Sequence, residues 1–241
     1  MKLQDLRVVV TGASRKYIRA LAIGFAHLGA EVYVSARTEQ AAEKARDEVV
    51  GSARGRLHTF GCDLSRPQEI REFARRVGDR TDRVDLLVNS GARWLEGTGF
   101  ESASDERIVE TIGSTASGTV LVVKHFLPLL KVSPRPDIVH MIPVGEDARQ
   151  TLAHEAFHAA RSAQTGFADV LARRLKPFDL RVFSFHPPDF SAAAPLHAGS
   201  DGDAAVRAPG EPTTQALFEC IVYAIEQPRD CFVRSFHFEP R

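Results

Sequence analysis

Apolar residues gather into short runs along the chain: LRVVV (Leu6 to Val10), EVYVSA (Glu31 to Ala36), RLHTF (Arg56 to Phe60), DLLVN (Asp85 to Asn89), DIVHMI (Asp137 to Ile142), LRVFSF (Leu180 to Phe185) and CFVRSF (Cys231 to Phe236). Runs of this length, rich in β-branched and aromatic residues, read as buried strands. Between them apolar residues return at helical spacing beneath a charged outer face, over Glu39 to Val50, Pro67 to Val77, Thr119 to Leu130, His154 to Leu175 and Thr213 to Ile225. Alternation of the two kinds predicts a parallel sheet with helices on both faces. One stretch departs from the rhythm. Ser191 to Pro212, rich in Ala, Gly, Asp and Pro, is longer than a connection needs and is expected to be a lid over a cleft or a surface loop.

Composition narrows the class. A chain of 241 residues, 44% apolar, is long enough for one well-buried domain, expected over residues 1–241. Basic and acidic residues balance at 31 each, which argues against a nucleic-acid or anionic-membrane footprint and for a small-molecule substrate or a protein partner. No apolar stretch reaches the ~18 residues that span a bilayer, so the expectation is a soluble, cytoplasmic protein. Cys62, Cys220 and Cys231 are odd in number and lack CxxC spacing. They indicate neither a disulfide framework nor a thiolate metal site, and each is expected to be a small buried hydrophobe.

The first strand leads through Thr11 and Gly12 into a helical segment, which is half of a dinucleotide-binding fingerprint. The later glycines, which let backbone approach a pyrophosphate, are replaced by Lys16, Tyr17 and Ile18. Other landmarks follow in order: CDLS (Cys62 to Ser65), DLLVNSGA (Asp85 to Ala92), HFLPLL (His125 to Leu130) and HPPDF (His186 to Phe190). Taken together, the chain resembles the short-chain dehydrogenase/reductase family over nearly its whole length. The resemblance implies a Rossmann-like, three-layer, doubly wound parallel sheet of about seven strands. It implies cofactor-binding roles for Gly12, Ser14, Arg15, Arg37, Asp63 and Asn89, with Asp63 touching adenine and Arg15 and Arg37 forming a basic pair for a 2'-phosphate.

The same resemblance exposes losses. The family's YxxxK motif falls on Phe157 to Arg161, its serine on Pro143 or Val144, and its asparagine on or near Thr115. Tyr17, Tyr33 and Tyr223 are the chain's only tyrosines, and none lies near the active-site helix. Since a positioned acid is worth ~10²- to 10⁴-fold in rate, a tyrosine-driven hydride relay is not expected. Ile18 is expected to put a branched side chain where backbone should meet phosphate, and Pro188 removes the flexible glycine of the loop after the sixth strand. These losses imply that no cofactor is required, with residual NADP binding left open. Lys16, Arg15 and Arg19 read either as a cationic rim for a substrate anion or as a solvated basic helix start.

Candidate chemistry then moves to the altered cleft. HEAFH, His154 to His158, reads as HExxH, but no third ligand stands out, and no metal is expected. On a helical projection of ~100° per residue, His154 and Arg161 lie within about 60° of Phe157, with His158 about 100° away. His140 and Asp189 are expected to border the same space. An imidazole beside a guanidinium suits proton abstraction with oxyanion stabilisation. The catalytic candidates are therefore His154, Arg161 and His140, in a non-redox cyclisation, dehydration or isomerisation of a small carbonyl-containing metabolite. Plainer roles compete: His140 as a hydrogen-bonded sheet residue, His186 as the residue before a loop proline. Two other readings stand beside this one, a non-catalytic subunit partnering an active reductase and an atypical NADP-dependent oxidoreductase. Self-association, or pairing with a relative, is expected through helices 119–130 and 154–175.

Overall fold

The computed structural model describes residues 3–49, 51–93, 95, 100–142, 154–187 and 213–238. Strands β1 (Arg7–Val10), β2 (Glu31–Ala36), β3 (Leu57–Gly61), β4 (Leu86–Asn89), β5 (Asp137–Met141), β6 (Arg181–His186) and β7 (Ser235–His237) form one sheet in the order β3-β2-β1-β4-β5-β6-β7. Every pairing is parallel. A parallel sheet with both faces covered needs apolar residues on each, and β1 supplies them: Val8 and Val10 enter one core cluster, Val9 the other.

Helices α1 (Lys16–His27), α2 (Glu39–Glu48) and α7 (Thr214–Glu226) cover the first face. Helices α3 (Pro67–Gly78), α5 (Gly118–Val132) and α6 (Glu155–Arg174) cover the second. Side-chain caps fix several helix starts, with Thr38 accepting from Ala41 N–H and Thr213 from Ala216 N–H. Strand order reverses between β1 and β4, and the crevice at their carboxyl ends is where open α/β sheets take ligands.

Near the C-terminal ends of the strands, register aligns Asn89, His140, Ser184 and Ser235 side by side across β4 to β7. At the opposite end, Asp137 and Arg181 meet on β5 and β6, both almost fully buried. Arg181 Nε and Nη2 donate to the two carboxylate oxygens at 2.8 and 2.7 Å. The same guanidinium donates to the Ile225 and Gln227 carbonyls at the end of α7, each at 2.8 Å, where a helix C-terminus favours a cation.

The structure corrects the expected elements in three places. The last strand is Ser235–His237 rather than Cys231 to Phe236. Side-chain bonds hold the segment before it as a loop: Arg229 donates to Asp137 and Asp179, and Gln227 Oε1 accepts from Val233 N–H at 2.7 Å. A helix absent from the apolar pattern, α4 (Asp105–Ile112), runs through a π turn (Gly113–Ser117) into α5. Its signal was polar: Ser104 caps it by accepting from Arg107 N–H, and Asp105 and Glu106 fill the first turn. Cys231 is exposed rather than buried, while Cys62 is buried as expected. The Ser191 to Pro212 stretch lies outside the described residues.

Candidate functional site

The crevice is shaped first by Gly12. Its φ of +85° belongs to the left-handed region, and a Cβ there would stand 1.6 Å from the Ser90 carbonyl oxygen. No side chain fits, so the turn out of β1 lies directly against the loop after β4. Thr11 holds that contact, its Oγ1 donating to Asn89 Oδ1 at 3.3 Å and accepting from Ser90 N–H at 2.9 Å.

Next to this turn lies a cleft of about 480 Å³ lined by Gly12, Ser14, Arg15, Arg37, Asp63 and the Ser90 to Arg93 loop, among others. It adjoins an open, basic recess of about 620 Å³ whose walls include Lys16, Arg37 and Lys44. Arg19 and Arg66, in the same recess, are paired with Glu48 and Glu69. Lys16, Arg37 and Lys44 have no ion pair among the described residues. The Arg37 backbone N–H reaches Ser14 Oγ at 3.5 Å, joining the two basic edges. Burial alone would raise the Asp63 pKa, but two hydrogen bonds from Ser65 with Arg66 and Arg93 nearby outweigh it and keep the carboxyl ionised.

Five of the six expected cofactor residues, Gly12, Ser14, Arg15, Arg37 and Asp63, line this one cleft. Asn89 lies beneath it, buried, with its Nδ2 donating to the Thr119 carbonyl at 3.0 Å. Its work is to hold the floor. Ile18 is also corrected: it is fully buried in the core beneath α1 and does not project into the cleft. The helical repeat turns it inward, leaving exposed Lys16 at the start of α1. The Arg15 side chain makes no cap to α1, so it does not occupy the first backbone N–H groups of the helix, which begins at the cleft rim.

On the α6 side the candidate residues separate. His154 precedes the helix, in extended backbone, so the helical projection does not extend to it. Its Nδ1 accepts from Ala156 N–H at 3.1 Å, and the buried ring caps α6. His158 is exposed, so the two histidines of HExxH do not converge. Phe157 is buried, and the Arg161 guanidinium lies 5.3 Å from its ring centroid. Burial first, and Arg15 second, bring the Arg161 pKa down to about 10, so the guanidinium stays charged at neutral pH. Arg161 therefore belongs to the same electrostatic neighbourhood as the cofactor cleft.

His140 does not share that space. Its ring packs edge-on to Phe167, about 15 Å along α6 from the level of Phe157, and burial pushes its pKa down to about 4. Neither ring nitrogen has a hydrogen-bond partner among the described residues, so the competing role as a hydrogen-bonded sheet residue does not describe this catalytic candidate either. His186, read only as a residue before a proline, donates from Nδ1 to the Ile142 carbonyl oxygen, 3.2 Å away, and stacks on His237 at 4.2 Å. Burial, then His237, hold it down to about 4. Asp189, Pro143, Val144 and Pro188 lie outside the described residues.

The sequence reading missed residues supplied by the unforeseen helix and by α6. Arg107, Thr111 and Ser114 line the cleft from α4 and the π turn. Thr115, already marked by the sequence as the place of the family's asparagine, sits in that turn, accepting Arg93 N–H at 3.2 Å on its Oγ1. Gln164, three residues after Arg161, is buried against it. No sequence signal singled it out, because α6 carries polar and charged residues along its length and Arg161 shares its buried face.

The parallel sheet, its switch-point crevice and the Gly12 turn define a Rossmann-like α/β fold. A family model described as short chain dehydrogenase matches residues 7–198, and the chain belongs to that family. An uncharacterised oxidoreductase of Staphylococcus saprophyticus is 24% identical over 244 residues, covering 100% of this chain and 99% of its own. A 3-ketodihydrosphingosine reductase of Bacteroides thetaiotaomicron is 22% identical over 190 residues, covering 78% of this chain and 65% of its own length. Among solved structures, a metagenomic short-chain oxidoreductase in complex with NADP superposes with a TM-score of 0.80 at 22% identity, covering 100% of this chain and 99% of that one. Family membership and the NADP complex of this neighbour overturn the expectation that no cofactor is required. That expectation inferred loss of the cofactor from the altered glycine loop, Pro188 and the missing proton-relay residues, and of these Ile18 is turned into the core and away from the cleft. Among the described residues no helix is long and apolar enough to cross a membrane.

Proposed function

We propose that the chain binds NADP(H) in the switch-point cleft and acts as an oxidoreductase whose proton is not handled by a tyrosine. The observation that carries this is the pairing of a cleft of about 480 Å³ with a recess holding Lys16, Arg37 and Lys44 without carboxylate partners among the described residues. That donor set fits a nucleotide bearing an extra phosphate. Arg37, Ser14 and Arg15 would hold the 2'-phosphate edge, the start of α1 the pyrophosphate, and Asp63 the adenine side. When bound, the nicotinamide supplies a hydride donor or acceptor. Arg161, charged and partly desolvated, stabilises developing negative charge on a substrate oxygen. Phe157 has no proton to donate.

A second reading keeps the cofactor but makes the reaction non-redox, and the replacement of a hydroxyl-bearing residue by Phe157 favours it. NADPH consumption in the presence of a panel of carbonyl substrates separates the two. The test of the primary reading is calorimetric titration with NADPH and NADH. NADPH is expected to bind at least about tenfold more tightly, and Arg37→Ala to remove most of that difference, the value of one charge-assisted contact. Equal affinity for the two, or no binding of either, would sink the reading.

A further inference from the structure

The π turn interrupts an otherwise continuous helical run from Asp105 to Val132. Its backbone is widened, with Gly118 N–H donating to the Gly113 carbonyl five residues back. A turn of this kind displaces carbonyls from the regular ladder, and buried carbonyls need donors from elsewhere. Thr115 O receives two: Thr119 Oγ1 at 2.7 Å and Gln164 Nε2 at 3.0 Å. The same amide donates to Thr119 Oγ1 at 2.7 Å, while that hydroxyl donates to Thr115. Because a carbonyl oxygen only accepts, the Thr115 carbonyl decides which end of the Gln164 amide faces it.

From this point two routes reach the loop after β4. On the first, Thr115 Oγ1 accepts Arg93 N–H. On the second, the Thr119 carbonyl accepts Asn89 Nδ2, Asn89 Oδ1 accepts from Thr11 Oγ1, and Thr11 Oγ1 accepts from Ser90 N–H. Thr11, Asn89, Thr115, Thr119 and Gln164 are each at most 2% exposed. Both routes end on Ser90 and Arg93, which wall the cleft. Gln164 is the member that joins α6 to the rest: its Nε2 donates to both Thr115 and Thr119, while its Oε1 is buried with no partner among the described residues.

We infer that Gln164 is a positioning residue for the cofactor: by donating to Thr115 and Thr119 it fixes the π turn, and through it the Ser90 to Arg93 wall of the cleft. It also ties that wall to the stretch of α6 that carries Arg161. The inference rests on the reading that the cleft takes NADP(H), and the experiment keeps the two apart.

Amide exchange followed residue by residue in the ligand-free protein tests the positioning alone. In Gln164→Leu, exchange at Arg93 is expected to accelerate about tenfold while Val8 to Val10 in β1 keep their protection, the size of a lost buried hydrogen bond. Titration with NADPH tests the consequence. Gln164→Leu is expected to bind about tenfold more weakly than the wild type. In Gln164→Glu the deficit, measured against the wild type at each pH, should shrink on acidification, because only a protonated carboxyl can donate to Thr115. A residue that merely fills volume gives no such recovery. Wild-type exchange at Arg93 in Gln164→Leu, acceleration shared equally by β1, or a pH-independent deficit in Gln164→Glu overturns the assignment. Failure of the wild type to bind NADPH overturns the cofactor reading, and exchange at Arg93 then decides on Gln164.

Discussion

The Arg15 guanidinium donates through Nη2 to the Ala92 carbonyl at 3.3 Å, so a side chain from the start of α1 crosses to the loop after β4. It spans the mouth of the cleft between the two elements that a dinucleotide would bridge. The same charge depresses the pKa of Arg161, which couples the cofactor edge of the site to the face of α6.

Replacing Arg15 with Met keeps the length of the side chain and removes both effects. NADPH affinity is expected to fall about tenfold with little change in thermal stability, since the residue is half-exposed. Titration of the variant beside the wild type checks this. Unchanged affinity would mark Arg15 as a solvated cation.

Gly12→Ala is expected to be far more damaging than any neighbouring substitution. The added methyl meets the Ser90 oxygen at 1.6 Å and demands a left-handed backbone from a residue that resists it. A loss of more than about 4 kcal/mol, seen as failure to accumulate folded protein or a collapse in denaturant midpoint, follows from that strain. Ala13→Gly, one residue on, serves as the control.

Arg181→Ala leaves Asp137 buried with Arg229 as its one remaining charged partner among the described residues and strips the end of α7 of its donor. Equilibrium unfolding should report a loss of about 3–5 kcal/mol. Replacing both members by apolar residues of similar size should cost much less, and a double-mutant cycle will show whether it does.

Stability should fall on mild acidification. Folding holds His140 at about 4 and His186 at about 4, against an ordinary 6.5. Between those values the unfolded chain binds more protons than the folded one, so stability is full above about pH 6.5 and drains away as the pH approaches 4. His140→Leu is expected to flatten that slope, because both ring nitrogens lack partners among the described residues and nothing polar is stranded by their removal. A slope identical in wild type and variant would mean that His140 is hydrated.

Thiol chemistry should discriminate sharply. Burial pushes Cys62 up to about 12, while Cys231 is exposed. Mass spectrometry after brief alkylation of the native protein is expected to find Cys231 modified and Cys62 untouched.

Much of this architecture was legible in the apolar pattern because a doubly covered parallel sheet forces near-continuous apolar strands. Glu31 to Ala36 matched its strand end to end for that reason. The last strand was misplaced because Phe232 packs against the core from a loop, and periodicity does not distinguish a buried loop residue from a strand residue. Five of the six residues expected to hold a cofactor line one cleft, and they were legible as a set because they cluster at strand ends. His154 was not, because its role as a helix cap depends on backbone geometry that a helical projection assumes away. Gln164 was hidden for a different reason: its importance comes from a π turn, and nothing in the spacing of side chains announces a widened backbone.

The row of Asn89, His140, Ser184 and Ser235 across four strands marks a boundary in the sheet. Toward the N-terminal ends of the strands lie aliphatic side chains and the Asp137–Arg181 clasp, where substitution is punished by unfolding. Toward the C-terminal ends lie Lys16, Phe157 and Arg161, where exchange is expected to alter what is bound or transformed. Residues that carry the sheet and residues that face the cleft thus fall largely on opposite sides of the row, so a substitution on the cleft side can change the ligand or the reaction and leave the scaffold beneath it standing.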